Sequence, residues 1–347
     1  MTTIKYTPRL VNLLVSVESL YNQLESEAEI PSLLLRLIRE NQALATHFST
    51  SIEGNPLSQV EVTNIVLGDK IPVTKSEKEV KNYFEVLNRI SVLARKKTPL
   101  TLELTLSLHA DLMKDLGAKD PGELRYESVV VGHKDPTGKV IIKHNPPTHI
   151  REEIQKLLGK LYGDLEIDKE THALIKAGVL HHGLAFIHPF FDGNGRMARI
   201  LTAYYLLLHG YEVTKYFILD DYYDIDRLLY SDKLHSADSG SNTEWLEYFL
   251  EGINYSLQAA LKRVETMKGE EIDALTGAKR VLVSRREEEV LQLVLLKKAI
   301  KTQDLVEAFE VTRQQAQSLL NSLVKKGIII KQGKTKSSYY ELAEKEQ

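Results

Sequence analysis

Cysteine is missing from all 347 residues, which excludes disulfides, thiolate metal sites and cysteine nucleophiles. Long apolar runs are missing too, so no segment is expected to span a bilayer. The first twenty residues lack a basic start followed by an unbroken apolar stretch. No secretory signal is expected there, and a cytoplasmic protein without a membrane partner is the default expectation. An excess of charge of one sign is also lacking: 45 basic residues face 48 acidic ones, a formal net charge of −3. That balance gives no dominant attraction to nucleic acid or to an anionic membrane.

What is present is one dense stretch, His188-Pro189-Phe190-Phe191-Asp192-Gly193-Asn194-Gly195-Arg196-Met197-Ala198-Arg199. Asp192 to Gly195 reads as a tight turn, because glycine tolerates positive φ and close backbone approach. A helix is predicted from about Arg196 to His209, where apolar positions recur and Gly210 supplies the stop. A glycine-rich turn feeding a helix N-terminus turns backbone N–H groups and the positive dipole end toward an anion. Arg196 and Arg199, three apart, share one face of the first turn. Cations are unfavourable at a helix N-terminus, so their presence points to bound negative charge. Asp192 is the oxygen ligand that Mg²⁺ prefers when it shares its shell with substrate phosphates. His188 is a base that can be neutral near pH 7. Base, metal carboxylate and phosphate cradle together imply transfer of a phosphorus group to a hydroxyl.

The stretch resembles the signature of the Fic (filamentation induced by cAMP) family, H-x-F-x-[D/E]-G-N-G-R-x-x-R, and matches it at every fixed position. The resemblance implies AMP transfer from Mg-ATP to a protein hydroxyl. It makes His188 the base, Asp192 the Mg²⁺ ligand and Phe190 a buried anchor. Gly193, Asn194 and Gly195, continuing into Met197 and Ala198, would line the α- and β-phosphates. Arg196 would bind phosphate and Arg199 would reach the γ-phosphate. Doc-type kinases of the superfamily carry Lys after Gly-Asn where this chain has Gly195, which argues against the reversed, γ-transferring orientation of ATP.

Upstream, apolar stripes predict helices over 10–27 and 32–52, the second with Pro31 at its first position. Gly54-Asn55-Pro56 then breaks the chain, leaving Glu53 at a helix C-terminus, where the dipole disfavours a carboxylate without a compensating cation. Alone, Glu53 reads as an exposed acid. By resemblance, Ser49-x-x-x-Glu53-Gly54 matches the Fic inhibitory motif [S/T]-x-x-x-E-[G/N], so that Glu53, helped by Ser49, would pair with Arg199 in place of the γ-phosphate. Further helices are predicted at 60–67, 75–94 and 100–116, with His109 a partly buried helical residue. The β-branched stretch 126–132 and Val140-Ile141-Ile142 predict a hairpin about the turn Asp135-Pro136-Thr137-Gly138. A lone hairpin must lie on something. In Fic proteins the hairpin here is a flap over the site, on which Val131 and Gly132 would touch nucleotide and to which a target would add a strand.

Helices are predicted at 150–164 and 171–186, the latter leading into the signature loop. His181, His182 and His188 do not read as a zinc set, because no carboxylate shares an i, i+4 face with them. By position, Tyr230 resembles the Fic tyrosine that packs on adenine or ribose; as a residue it also reads as core. A helix is expected from Thr243. The segment 267–284, poor in aromatics, is expected to be a linker. Beyond it, helices at 286–296, 302–309 and 312–327 and strands at 328–330 and 339–342 predict a winged helix-turn-helix. Its Arg313, Gln314, Gln315 and Gln317 could read DNA bases, and the lysines of 331–336 could touch phosphates.

The expected architecture is therefore an all-α Fic bundle with a small β-hairpin flap, plus a C-terminal winged-helix domain. Its expected segments are 1–110 (with the inhibitory helix at about 32–54), 111–266, the linker 267–284 and 285–347. The expected partners are ATP and a target protein, which self-modification would make the chain itself, with DNA and a homodimer left open. Two other readings stay open: a DNA-binding regulator with a nucleotide-sensing Fic core, and a Fic enzyme that transfers another group or removes AMP.

Overall fold

The structure, a computed structural model, describes residues 4–27, 31–134, 140–213, 215–274, 284–309, 311–333 and 338–343. It is mainly helical, as the apolar periodicity predicts. Helices α1 (Pro8–Glu27), α2 (Pro31–Ile52), α3 (Gln59–Val66), α4 (Lys75–Arg95) and α5 (Leu102–Leu112) precede a hairpin of β1 (Val131–Lys134) and β2 (Val140–His144). Then come α6 (Arg151–Ile167), α7 (Ala173–Ile187), α8 (Asn194–Leu208), α9 (Asp221–Ile225), α10 (Arg227–Ser236) and α11 (Thr243–Ala274), with a 3₁₀ turn at Ala237–Ser239 before α11. The remainder is α12 (Arg285–Lys297), β3 (Ala299–Ile300), α13 (Thr302–Phe309), α14 (Arg313–Lys325), β4 (Ile329–Gln332) and β5 (Tyr339–Leu342).

Packing divides the chain into two compact units, Met1–Asn22 with Asn41–Ala260, and Gln23–Glu40 with Leu261–Gln347. The division cuts across the sequence segments, since both ends of one helical pair, α1 and α2, contribute to each unit. The junction also differs in place: α11 runs helical to Ala274, and 275–283 lie outside the described residues.

In the first unit α7 is the central helix. Its sequence is apolar on every side, and Leu174, Ile175, Ala177, Leu180, Leu184 and Ile187 are all buried. A helix without a polar face has to be enclosed on all sides. It is followed, across the signature loop, by α8, whose Ile200, Leu201 and Leu206 are buried. Trp245 of α11 is buried as well and donates from its indole N–H to Gly178 O at 2.8 Å, so its one polar atom is satisfied inside the core. Capping boxes start α3 and α4: Ser58 with Glu61, and Thr74 with Glu77.

The hairpin is shorter than its β-branched pattern: β1 starts at Val131 rather than near 126. Residues 126–130 have no strand partner, because β2 reaches back only to His144, which pairs with Val131. A bulge lies between Val131 and Gly132, whose partners are His144 and Ile142. The turn 135–138 lies outside the described residues.

In the second unit, Val290, Val294, Ile300, Leu305, Leu320, Leu323, Ile329 and Tyr340 form one apolar core. The three-stranded sheet runs in the order β3-β5-β4, antiparallel throughout. The strand β3 was not legible in the sequence, since two residues show no period. Gln317 donates to the Tyr340 hydroxyl at 2.7 Å and accepts from Thr302 Oγ1 at 3.1 Å. Its amide is held internally, while Arg313, Gln314 and Gln315 are exposed at the start of α14, Gln315 closing the capping box with Thr312. Lys334 to Lys336 of the basic loop lie outside the described residues.

Candidate active site

The signature loop connects α7 to α8, and its shape follows from three residues. His188 ends α7 in the left-handed region at φ 50°, turning the chain sharply away from the helix. Asn194 closes the loop on itself: its amide nitrogen donates to Phe190 O, and its amide oxygen accepts from Phe190 N, both at 2.9 Å. Gly193 caps α8 at φ 77°, and no side chain caps that helix. The free N–H groups of the first turn therefore remain available to an anion. Phe190 is fully buried, as expected of an anchor.

Two residues to which the sequence assigned no part in the site, His109 and Arg125, hold this loop from outside. His109 on α5 is 1% exposed, more deeply buried than its pattern suggested. It accepts from Gly122 N–H at 2.9 Å on Nδ1, so its proton sits on Nε2 and reaches Asp192 O at 3.0 Å. Its ring stacks on Phe190 at 3.7 Å between centroids. Burial pushes its pKa down to about 4, keeping it neutral and the tautomer fixed. Arg125, also 1% exposed, donates to His188 O at 2.6 Å, Thr148 O at 2.6 Å, Glu127 O at 3.0 Å and Ile187 O at 3.3 Å. A guanidinium bound only by carbonyls stitches the loop to the segments on both sides of the hairpin. No local pattern marks either residue, since apart from Glu127, two positions from Arg125, the partners named lie 13 to 83 positions away.

His188 is half-buried, with Nδ1 3.3 Å from Ala185 O. A carbonyl oxygen can only accept, so Nδ1 carries the hydrogen and Nε2 keeps the lone pair. Burial lowers its pKa to about 4, and the neutral base form prevails at pH 7. Four residues on, the Asp192 side chain is 57% exposed. Its Oδ1 accepts from Gly193 N at 2.6 Å and lies 3.4 Å from Arg196 Nη2. The rest of that carboxylate faces outward, as an oxygen ligand for Mg²⁺ needs. Arg196 is 3% exposed and paired with Glu79 of α4, another partner the sequence did not reveal. Its buried Nε has no hydrogen-bond partner.

Arg199 is the most heavily engaged cation of the site. It is 1% exposed; Nε donates to Ser49 Oγ at 2.7 Å, while Nη2 donates to Ser49 O at 2.9 Å and to Glu53 Oε1 at 2.8 Å. Asp220 Oδ1 lies 3.7 Å from Nε. Burial works to lower the Arg199 pKa, but Glu53 and Asp220 outweigh it and raise it. Burial lifts Asp220 to about 6 against the pull of Arg199. The cation that a carboxylate at the end of α2 requires is thus Arg199. Glu53 also covers the helix mouth: a Cβ at Gly195 would collide with Glu53 Oε1 and lie 3.2 Å from Glu53 Cδ. The cradle thus already holds one anionic group, the Glu53 carboxylate, between Gly195 and Arg199.

Met197 and Ala198 are buried behind the loop. Val131 is half-buried and Gly132 exposed at the bulge of the hairpin. Tyr230 is 7% exposed; its hydroxyl meets His181 Nε2 at 2.8 Å and its ring stacks on Tyr223 at 4.4 Å. That is the setting of a core tyrosine, with the hydroxyl engaged below the loop. His181, His182 and His188 do not converge: His181 serves Tyr230, and His182 meets Asp238 at 2.8 Å, a carboxylate brought from another element.

Residues 99–206 match the Fic/DOC family model. Protein adenylyltransferase fic-1 of Caenorhabditis briggsae is 23% identical over 272 residues, 75% of this chain and 49% of that protein. Protein adenylyltransferase Fic of Drosophila virilis is 28% identical over 204 residues, 57% of this chain and 39% of that protein. The chain thus spans half or less of the length of these curated relatives. Among solved structures, a Fic family protein from Desulfovibrio desulfuricans G20 shares the fold over 99% of this chain and 98% of its own, at TM-score 0.63 and 21% identity. Residues 134–508 of Fic-1 from Caenorhabditis elegans share it over 74% of this chain and 73% of theirs, at TM-score 0.60 and 21% identity. The signature loop, the helical frame and the matched segment together make residues 99–206 a Fic domain.

Proposed function

We propose that the chain is a protein adenylyltransferase that moves AMP from ATP to a serine, threonine or tyrosine hydroxyl, and that Glu53 holds it inhibited. The observation that carries the first part is the pairing of a neutral His188, lone pair on Nε2, with the uncapped N-terminus of α8 in one loop. Nε2 takes the proton of the target hydroxyl, whose oxygen attacks the α-phosphorus as the bond to pyrophosphate breaks. The N–H groups of α8, with Arg196 and Arg199, receive the charge of the departing group. Asp192 would hold Mg²⁺, which when bound supplies neutralisation of the phosphate charge. Names of the relatives above support this reading at the level of the family.

The second part rests on Arg199, whose Nε and Nη2 are engaged by Ser49 and Glu53. ATP seated for in-line attack needs that arginine, so the inhibited enzyme binds nucleotide weakly or in an unproductive pose. With 16 tyrosines in the sequence, the chain is itself a candidate target.

The test uses wild type, Glu53→Gly and Glu53→Gly/His188→Ala with Mg²⁺ and ATP labelled on either the α- or the γ-phosphate. Protein label from the α-position alone, raised by the first change and abolished by the second, is expected. Label from the γ-position would replace the proposal with a kinase, and no label from either would leave a nucleotide sensor.

A further inference from the structure

One cluster of titratable side chains takes no part in the reaction. His144 ends β2, His235 lies in the last turn of α10, and Asp238 sits in the 3₁₀ turn that follows. His144 Nδ1 is 2.8 Å and His235 Nδ1 3.0 Å from the same oxygen, Asp238 Oδ2. The three ligand atoms all lie within 4.8 Å of one another. The cluster is mostly shielded, with 5% of the His144 side chain, 10% of His235 and 20% of Asp238 exposed.

The hydrogen positions call for a positive charge at His144 Nδ1. His144 Nε2 lies 2.8 Å from Phe186 O, and because a carbonyl can only accept, the proton of a neutral ring is there. Nδ1 then presents a lone pair to a carboxylate oxygen, and His235 Nδ1 converges on that oxygen as well. A positive charge, a proton or a bound cation, has to lie between His144 Nδ1 and that carboxylate oxygen, which His235 Nδ1 can also meet as an N–H donor.

We propose that His144 Nδ1, His235 Nδ1 and Asp238 Oδ2 form a binding site for a transition-metal dication, Zn²⁺ being the best match. Two imidazoles and a carboxylate suit Zn²⁺ and not Mg²⁺ or Ca²⁺, which want oxygen throughout. Metal–donor bonds of about 2.0–2.2 Å at tetrahedral angles place donors roughly 3.3–3.6 Å apart; here Asp238 Oδ2 lies 2.8 Å from His144 Nδ1 and 3.0 Å from His235 Nδ1. The surrounding bonds are those a metal centre requires. His144 turns its other nitrogen to a backbone carbonyl, and Asp238 Oδ1 is held by His182 Nε2 at 2.8 Å. Solvent reaches Asp238, which supplies the fourth position.

The site joins the hairpin to the helical body. His144 pairs with Val131 at the bulge, and its ring is bound to Phe186, two residues before His188. An ion there pins the base of the flap to α10 and to the end of α7, and so fixes the hairpin from which a target strand would be read.

The full chain, stripped with EDTA and dialysed, is titrated with Zn²⁺ in competition with a chromophoric chelator, and with Co²⁺ followed by its visible d–d bands. Wild type is expected to take up one equivalent of each, with a raised melting temperature. His235→Gln and Asp238→Asn, which keep size and polarity, are expected to lose it while retaining the wild-type circular dichroism. His182→Gln should bind about 10–100-fold more weakly. Asp192→Ala should bind as wild type does, which separates this site from the signature loop. Absence of stoichiometric Zn²⁺ in wild type would overturn the proposal and assign the charge to a proton. So would binding that survives both His235→Gln and Asp238→Asn, or binding lost in Asp192→Ala. None of these readouts depends on AMP transfer.

Discussion

Arg199 Nη2 and Glu53 Oε1 lie 2.8 Å apart across 146 residues of sequence, with the guanidinium 1% and the carboxylate side chain 31% exposed. The buried partner cannot be left alone, while the other partner reaches solvent. This asymmetry makes Glu53 the partner that an anion entering from solvent would have to displace.

Glu53→Gly is accordingly expected to weaken the chain without nucleotide and to leave it normal with nucleotide. Loss of one charge-assisted hydrogen bond removes roughly 1.5–3 kcal/mol, less if Asp220 moves closer to Arg199. Mg-ATP at about 100 times its Kd restores about 2.7 kcal/mol. Melting curves with and without Mg-ATP check this; a variant that gains no more from nucleotide than wild type does would show that Glu53 does not compete with it.

The pH profile of transfer follows from His188. Its pKa is lowered to about 4 by burial, so the base form is complete by about pH 6 and the activity of Glu53→Gly should be flat from there to pH 8. The effect on stability has the same sign. Below the unfolded value near 6.5 the unfolded state binds the proton first, so stability contributed by the neutral ring falls as pH drops from about 6.5 toward 4. An activity limb centred near 6.5 in an initial-rate series would place His188 in water during the reaction. His188→Ala should lower the rate by about 10²–10⁴-fold.

Gly195→Ala separates inhibition from catalysis. The added methyl collides with Glu53 Oε1 and so must push the carboxylate off Arg199. On the proposed reading the same methyl also stands in the path of the phosphates, so release of Glu53 would bring no activity. The double variant Glu53→Gly/Gly195→Ala should therefore stay at least tenfold below Glu53→Gly, which corresponds to about 1.4 kcal/mol of lost phosphate contact. Equal rates for the two would mean that the phosphates do not pass over residue 195.

Arg125→Met tests the loop's outer support. Methionine fills much of the volume but leaves the carbonyls of His188, Thr148, Glu127 and Ile187 without their donor. Each buried carbonyl left unsatisfied costs about 1–3 kcal/mol. A loss of at least 3 kcal/mol in denaturant unfolding is expected, together with a fall in transfer by Glu53→Gly/Arg125→Met at temperatures where that chain is folded. Normal transfer in the folded variant would relegate Arg125 to stability alone.

The sequence by itself determined the parts whose physics is local. Helical stripes placed nearly every helix, because a 3.6-residue period needs only neighbouring positions to be read. The turn at Gly193 and the start of α8 were legible for the same reason: φ 77° and a helix N-terminus are properties of a few consecutive residues. His188, Asp192 and Arg199 stood out because their chemistry is crowded into twelve positions. The strand start at Val131 was misplaced, since β-branched residues show where a strand can form but not where its partner ends. Tertiary structure alone decided the pairings of buried groups. Glu79 with Arg196, His109 under Phe190, Arg125 on four carbonyls and His182 with Asp238 join residues from separate elements. Burial makes those partnerships obligatory, since a buried charge or donor must be satisfied, but leaves open which distant segment satisfies it. That choice belongs to the packing of the helices, which no spacing along the chain records.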